Sequence, residues 1–398
     1  MDVLFDKSLI GSQKHLLFSS DGFSRHEKTI DGAWHLSGHI KPTSTFCFDT
    51  VLLLNSAGQI PKVPDQYRRC MEKLAPDLLS PPWSMIIPPE IYRNYIDDLV
   101  NYAKKNLNID VGYYKTAWIP GSHVLNSLKP AKVDGARITE IINSGAHNSH
   151  IAETFKPRSG GYAQPVLYNR FSTVTGRLTV ESGPNILLLK KEYRDVIKPS
   201  DPNGKILSLD FSSLEARILL YESGNDCVEQ DLYSTLANRF GGMPRDLVKA
   251  AVLSVLYGSS KSMVALNLGV TESKVNDIVL KIEEYIDTRS LLKRLKSQLS
   301  STGHITNKFG RKIKIERPQD NILVNYYAQS TGVDVSLMGF SKIIETLGGE
   351  GIRPIFVLHD ALILDVHGDR VNDVLNVSKT TVPGYTQTFP IKVDEITR

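Results

Sequence analysis

KILSLDFSSLEARILL, Lys205 to Leu220, decides how the rest of the chain is read. Its first half alternates: Ile206, Ser208 and Asp210 point to one side of a strand, Leu207, Leu209 and Phe211 to the other. Its second half has the composition of a helix. Ser212 is the expected cap, with Glu215 three residues later as in a capping box. Asp210 therefore stands at the mouth of a strand, on a rigid element suited to holding a metal ligand. One carboxylate cannot cage a hard cation. The expected second one is Asp360, in the tight turn of RPIFVLHDALILDV, between two very apolar strands. Such a pair suits two Mg²⁺ ions about 3.5–4 Å apart, with Mn²⁺ as the alternative. Asp365 lies nearby, but alternation sets its side chain apart from the turn.

A helical insert separates the two aspartates. Within it, Pro244 suits a first helical position, and RDLVKAAVLSVLYG follows. Arg245, Lys249, Leu253 and Tyr257 are four apart. Each step drifts only about 40° around a helix, so the four form one stripe. Two cations leading into apolar residues and a ring read either as the solvated end of a core helix or as a phosphate clamp followed by a platform for a base.

The chain has 398 residues, enough for two or three lobes. It is 41% hydrophobic and 23% charged, in the globular range. A net charge of +4 permits a nucleic-acid partner without arguing for one. Cys47, Cys70 and Cys227 are an odd, scattered set with no CxxC, which argues against a disulfide framework or zinc site and fits a reducing compartment. No apolar run approaches a membrane span, and the first residues do not read as a secretory signal. A cytoplasmic location is expected, with no membrane partner.

Taken in order, Thr45–Asn55 reads as a strand. Asp49-Thr50 after an apolar run is one nuclease pattern, but no acidic residue follows at the next alternate position. Residues 1–60 are therefore read as a small structural cap. Residues 90–107 have helical spacing, with Ile91, Tyr95, Leu99 and Tyr102 on one side. A helix is expected over Asp134–Ser144 and a basic loop over Lys156–Tyr162. Residues 231–300 and 321–347 read as helical, 304–316 as two strands around Phe309-Gly310, and 352–366 as two strands around His359-Asp360.

Five blocks in order carry a family resemblance over about residues 170–366. They are TGRL (Thr175–Leu178) with Pro184-Asn185; DFSSLEARI; RDLVKAAVLSVLYG; GRK with NYYAQSTGVD; and VLHDALILDV. The chain resembles the family A DNA polymerases, the group of bacterial DNA polymerase I and its phage relatives. The resemblance implies a mixed α/β right-hand fold: palm at 160–225 and 311–398, helical fingers at 226–310, a reduced helical thumb at 61–159. It implies extension of a primer by dNTPs on template DNA, without a proofreading domain, in a bacterial or phage-infected cell and with replication or processivity proteins as further partners. Asp210, Asp360 and the Phe211 carbonyl would hold the metals. Arg245 and Lys249 would hold the triphosphate, and Lys249 would protonate the leaving pyrophosphate. Tyr257 would cover the nascent pair. Glu215 would exclude a 2′-OH, tethered by Tyr257. Leu253 and Tyr233 would complete the nucleotide site. Arg177, Asn325, Gln329, His359 and Arg311 would contact DNA, and Arg217 would be a structural or orienting partner.

The sequence departs from the family pattern at four places. Leu253 stands where an aromatic residue is usual. Ile186-Leu187-Leu188 replaces a polar pair. Ser213 replaces a glutamine, and Tyr233 a histidine. Two rival readings are a single-subunit RNA polymerase and a non-catalytic primer–template-binding relative.

Overall fold

The computed structural model describes residues 1–39, 46–78, 80–145, 149–227, 231–258 and 260–396. Two compact units divide it, Met1–Ile119 and Pro120–Arg398.

In the first unit, four strands form one sheet: β1 (Val3–Phe5), β2 (His15–Ser19), β3 (Gly22–His26) and β4 (Trp34–Leu36), in the order β3-β2-β1-β4. Strands β1 to β3 run antiparallel, and β4 joins β1 in parallel. Helix α1 (Lys7–Ile10) follows β1. The strand expected over Thr45–Asn55 is not found: Phe48–Leu54 form helix α2, and Thr45 lies outside the described residues. Its Phe48, Val51 and Leu52 are buried, an i, i+3, i+4 set that one helical face satisfies and alternation does not. Short helices α3 (Asp65–Leu74) and α4 (Trp83–Ile86) lead to α5 (Pro89–Lys105). The expected face of α5 is the inner one, with Tyr95 and Leu99 buried.

In the second unit, α6 (Ile119–Ser127), α7 (Gly135–Asn143) and α8 (Ser149–Glu153) come first. Asp134 caps α7, accepting from the N–H groups of Ala136 and Arg137. A two-stranded ribbon, β5 (Leu167–Asn169) and β6 (Thr179–Ser182), precedes the strand that organises the unit, β7 (Lys205–Phe211). Strand β7 is the centre of a five-stranded sheet with β10 (Ile352–Leu358), β11 (Ala361–Val366), β12 (Lys379–Thr381) and β13 (Thr388–Glu395), ordered β10-β11-β7-β13-β12. Every pairing in it is antiparallel.

Between β7 and β10 lie α9 (Leu214–Glu222), α10 (Leu232–Arg239), α11 (Arg245–Tyr257), α12 (Lys261–Leu268), α13 (Glu272–Tyr285) and α14 (Thr288–Thr302). They are followed by the hairpin β8 (His304–Thr306) and β9 (Lys312–Lys314), and by the long α15 (Asp320–Leu347). Helix α15 lies against the sheet where β7 ends. A Cβ on its Gly339 would fall 2.6 Å from the Phe211 ring, so only glycine permits this approach. Phe211 packs in turn against Phe340, tilted, and against Phe389, edge to face. The odd-numbered side of β7 is thus sealed into core, and Asp210 is left on the other side.

The start of α9 corrects the expected cap. Ser213, not Ser212, is the N-cap; it sits in the left-handed region at φ 55° and its side chain caps nothing. No capping box forms. The chain turns too sharply after β7 for the extended backbone that such a cap requires, and the Glu215 carboxylate is used elsewhere. Buried Arg217 supports the turn instead, donating to the Ser212 and Cys227 carbonyls.

Candidate active site

Sheet register brings Asp210 and Asp360 together. Asp360 occupies the turn between β10 and β11, after His359 in the left-handed region at φ 56°. The next residue, Ala361, pairs with Asp210 across the β11–β7 ladder. Burial pushes the Asp210 carboxyl up to about 7, Asp360 and Asp394 add to this, and Lys392 opposes it. Burial also raises Asp360, with Glu215 adding to it and His359 and Arg177 opposing. Two neighbouring oxygen-donor groups that resist ionising without a counter-charge are a fit for a hard divalent cation. Among the described residues, no group of three His, Cys, Asp or Glu side chains could hold a metal ion. A cation here would therefore need further oxygens from backbone or ligand. Asp365 is buried at the other end of β11, bound by Arg353 and the Ser200 N–H.

Glu215, in the first turn of α9, is a junction. Its Oε1 accepts from Arg177 Nη2 at 2.8 Å, and its Oε2 accepts from the Tyr257 hydroxyl. Burial and that hydrogen bond raise the Tyr257 phenol, which keeps it a donor. The expected tether between Glu215 and Tyr257 is present. Arg177 is delivered by a turn whose Gly176 has φ 82°; a Cβ there would lie 2.6 Å from Arg311 Cζ. Arg311 is itself buried and donates from Nη2 to the Arg170 carbonyl. It underlies the turn rather than standing on a surface.

The stripe on α11 forms as expected. Leu247, Val248, Ala251, Val252 and Leu256 are buried, while Arg245, Lys249 and Tyr257 are exposed and Leu253 is half-buried. A cavity of about 390 Å³ opens between α11 and the carboxylates of Glu215 and Asp360. Arg177, Glu215, Tyr233, Leu253, Tyr257, Gln329, His359 and Asp360 line it. Arg245, Lys249, Asp210, Asn325 and Arg311 are not in its wall. Arg245 and Lys249 instead flank the Tyr233 ring, at 5.7 and 6.0 Å from its centroid. Asn325 is turned away, donating from Nδ2 to the Leu256 carbonyl and joining α15 to α11.

The sequence model for DNA polymerase family A matches residues 148–395. DNA polymerase I of Rhizobium leguminosarum is 24% identical over 324 residues, covering 70% of this chain and 31% of that protein. The thermostable DNA polymerase I of Thermus aquaticus is 22% identical over 258 residues, covering 57% and 31%. Among solved structures, the polymerase domain of Pol1 from M. smegmatis, in complex with DNA primer-template and dNTP, matches with a TM-score of 0.59 at 13% identity. That match covers 99% of this chain and 94% of the domain.

The chain belongs to DNA polymerase family A.

Its fold is accordingly the mixed α/β polymerase fold. It spans under a third of the length of the two curated polymerases. Against the family pattern, Leu253 leaves an aliphatic patch in the cavity wall. In the segment after Pro184-Asn185, Ile186 is buried and Leu188 is 60% exposed. Sequence reading missed three sets of residues around the site. Lys392 and Asp394 sit on β13, opposite Asp210 and Ser208, and only the sheet order reveals them. Buried Asp334 binds Asn307 and Arg170 and so ties α15 to the β8–β9 hairpin and to the residue that follows β5. Asp231 caps α10 and binds Arg245; an Asp just before an apolar helical run was its legible signal.

Proposed function

We propose that this chain is a template-directed DNA polymerase that adds dNTPs to a primer 3′-OH. The observation that carries the reading is the cavity that joins Asp360 and the Glu215 junction to the inner part of the α11 stripe. The family membership supports it, as does the likeness to a domain solved with primer-template and dNTP. In this reading β7, β10–β13 and α15 are palm, α10–α14 fingers, and the helices of 61–159 a reduced thumb.

Asp210 and Asp360 would hold two Mg²⁺ ions, or Mn²⁺, with the Phe211 carbonyl assisting. When bound, the ions offset charge on the attacking and leaving oxygens of an in-line displacement. The remaining work belongs to the chain's own groups. Arg245 and Lys249 bind the triphosphate, and Lys249 carries a proton on Nζ that the departing pyrophosphate can take. Tyr257 and Leu253 shape the wall beside the base and sugar, and Glu215 fills the space at the 2′ carbon. Arg177 and Gln329 face the primer–template minor groove, and His359 the primer end. Asn325 and Arg311 act from beneath, the first by fixing α11 to α15 and the second by supporting the Arg177 turn.

The same reading gives the chain no 3′–5′ exonuclease and a cytoplasmic setting in a bacterial or phage-infected cell. Among the described residues no helix is long and apolar enough to cross a membrane. Primer extension with Mg²⁺ and each nucleotide class is the test. Extension with dNTPs is the expected result. Preference for rNTPs would favour an RNA polymerase, and no extension would favour a non-catalytic relative. A mismatched 3′ end incubated without dNTP should stay intact.

A further inference from the structure

Arg245 is not waiting free for a phosphate. Its Nε donates to Asp231 Oδ2 at 2.7 Å and its Nη2 to Asp231 Oδ1 at 3.2 Å. This is the two-pronged geometry by which a guanidinium takes two oxygens of a phosphoryl group. Asp246, beside Arg245 on α11, reaches Nη1 at 3.6 Å. Asp231 cannot follow the arginine if it moves. Its oxygens also accept from the Tyr233 and Ser234 N–H groups and from the Ser234 hydroxyl at 2.8 Å, as the cap of α10. Both partners are about half exposed, at 45% and 44%, so the pair is weak by itself and open to exchange with an arriving anion. Lys249, four residues on, has no carboxylate within ion-pair distance among the described residues. The two cations share the Tyr233 ring but not their occupancy: one is held and the other is open.

We propose that Asp231 is the resting partner of the phosphate-binding arginine, a carboxylate that fills the Arg245 fork until a polyphosphate displaces it. Asp231 is then a positioning residue with two effects. It keeps the guanidinium over Tyr233 in the empty site, and it sets how much negative charge an incoming group must carry to win both cations. A singly phosphorylated group engages Lys249 alone, whereas a triphosphate takes Lys249 and exchanges for Asp231. The substrate class in this inference rests on the polymerase reading.

The test compares Asp231→Asn with Asp231→Ala in the full chain. Asparagine caps a helix as well as aspartate does, so Asp231→Asn removes the competing charge and leaves α10 intact. Inorganic tripolyphosphate, titrated by calorimetry, should bind Asp231→Asn about three- to tenfold more tightly than wild type. Inorganic phosphate should change less. The gain should vanish when Arg245→Ala is added. In primer extension the effect of Asp231→Asn should fall on KM for dNTP, lowering it, rather than on kcat. An Asp231→Asn chain that binds tripolyphosphate no better than wild type, with only Asp231→Ala altered, makes Asp231 a helix cap alone and overturns the proposal. So does a gain that persists without Arg245. Wild-type primer extension is measured beside these. If it is absent while the exchange holds, the polymerase reading fails and the anion exchange stands; if extension proceeds and Asp231→Asn binds no tighter, only the exchange fails.

Discussion

The backbone N–H of Phe211 donates to the carbonyl of Asp360 at 3.1 Å. This bond locks the residue after one candidate metal ligand to the backbone of the other. The distance between the two carboxylates is therefore set by the β7–β11 ladder, not by flexible side chains alone.

Removing either carboxylate should stop chemistry without releasing DNA. Asp210→Ala and Asp360→Ala should each lower primer extension by three or more orders of magnitude, the scale of losing charge stabilisation in a transition state. Primer–template affinity, measured by anisotropy at fixed salt, should stay nearly unchanged, because phosphate contacts dominate it. Extension near the wild-type rate in either variant would remove the two-metal assignment.

The turn before Arg177 depends on Gly176. An alanine there must adopt φ near 82° and set its Cβ against the buried Arg311 guanidinium, 2.6 Å from Cζ. A cost on the order of 1–3 kcal/mol is expected. If Arg177 meets DNA only because this turn presents it, Gly176→Ala should lower the melting temperature and also raise KM for primer–template. A lowered melting temperature with unchanged KM would separate the turn from DNA contact.

Much of this was legible because period and length agreed. Alternation in Lys205–Phe211 and the four-residue spacing of Arg245 to Tyr257 each matched the element that formed, and Phe309-Gly310 marked the turn of the β8–β9 hairpin. What stayed hidden depends on contacts distant in sequence. Phe46–Leu54 is an apolar run too short to distinguish strand from helix by period, and burial chose helix. Ser212 and Glu215 matched a capping pattern, yet Arg177 and Tyr257, from two other elements, claimed the Glu215 carboxylate. Lys392 became a neighbour of Asp210 only through the place of β13 in the sheet. Nothing in the spacing of Asn325 and Arg311 announced that the first donates to the Leu256 carbonyl of α11 and the second, buried, to the Arg170 carbonyl.

Asp49 offers a pH test in the first unit. It is buried on α2, accepting from the Ser37 N–H at 2.8 Å and from the Ser37 hydroxyl, and burial holds its carboxyl above the ordinary range. A carboxyl raised in the folded state favours the protonated form. Its contribution is thus complete below about pH 4, the unfolded value, and is lost as pH rises through the folded one. Asp49→Asn keeps an acceptor for Ser37 and cannot ionise. Amide exchange across Phe48–Leu54 should become faster in wild type than in Asp49→Asn over that rise, with little difference below it. Equal pH profiles would show that Asp49 ionises without cost.

The choice of sugar should reside in Glu215. A 2′-OH is excluded where the space beside the sugar is filled and dry; in the proposed reading the Glu215 carboxylate, held from two sides, fills that space. Arg177 holds it from the turn before β6, and the Tyr257 hydroxyl from the end of α11. Because Tyr257 belongs to the helix that also carries Arg245 and Lys249, the barrier would be coupled to the element proposed to bind the triphosphate. Glu215→Ala removes the barrier and leaves Arg177 and Tyr257 without a shared partner, so total activity should fall while rNTP use rises relative to dNTP. No helix cap is lost, since Glu215 caps nothing in this fold. A selectivity change would therefore report the barrier itself. The measurement is the ratio of kcat/KM for rNTP to that for dNTP, which compares transition states directly; a rise of ten- to a hundredfold corresponds to about 1.4–2.7 kcal/mol of lost discrimination. Leu253 supplies the contrast. It lines the same cavity without a ring or hydroxyl, so Leu253→Tyr should raise dideoxynucleotide use and leave the ribose ratio nearly constant. An unchanged ribose ratio in Glu215→Ala would assign the junction to holding α11 in place and leave sugar choice to another wall of the cavity.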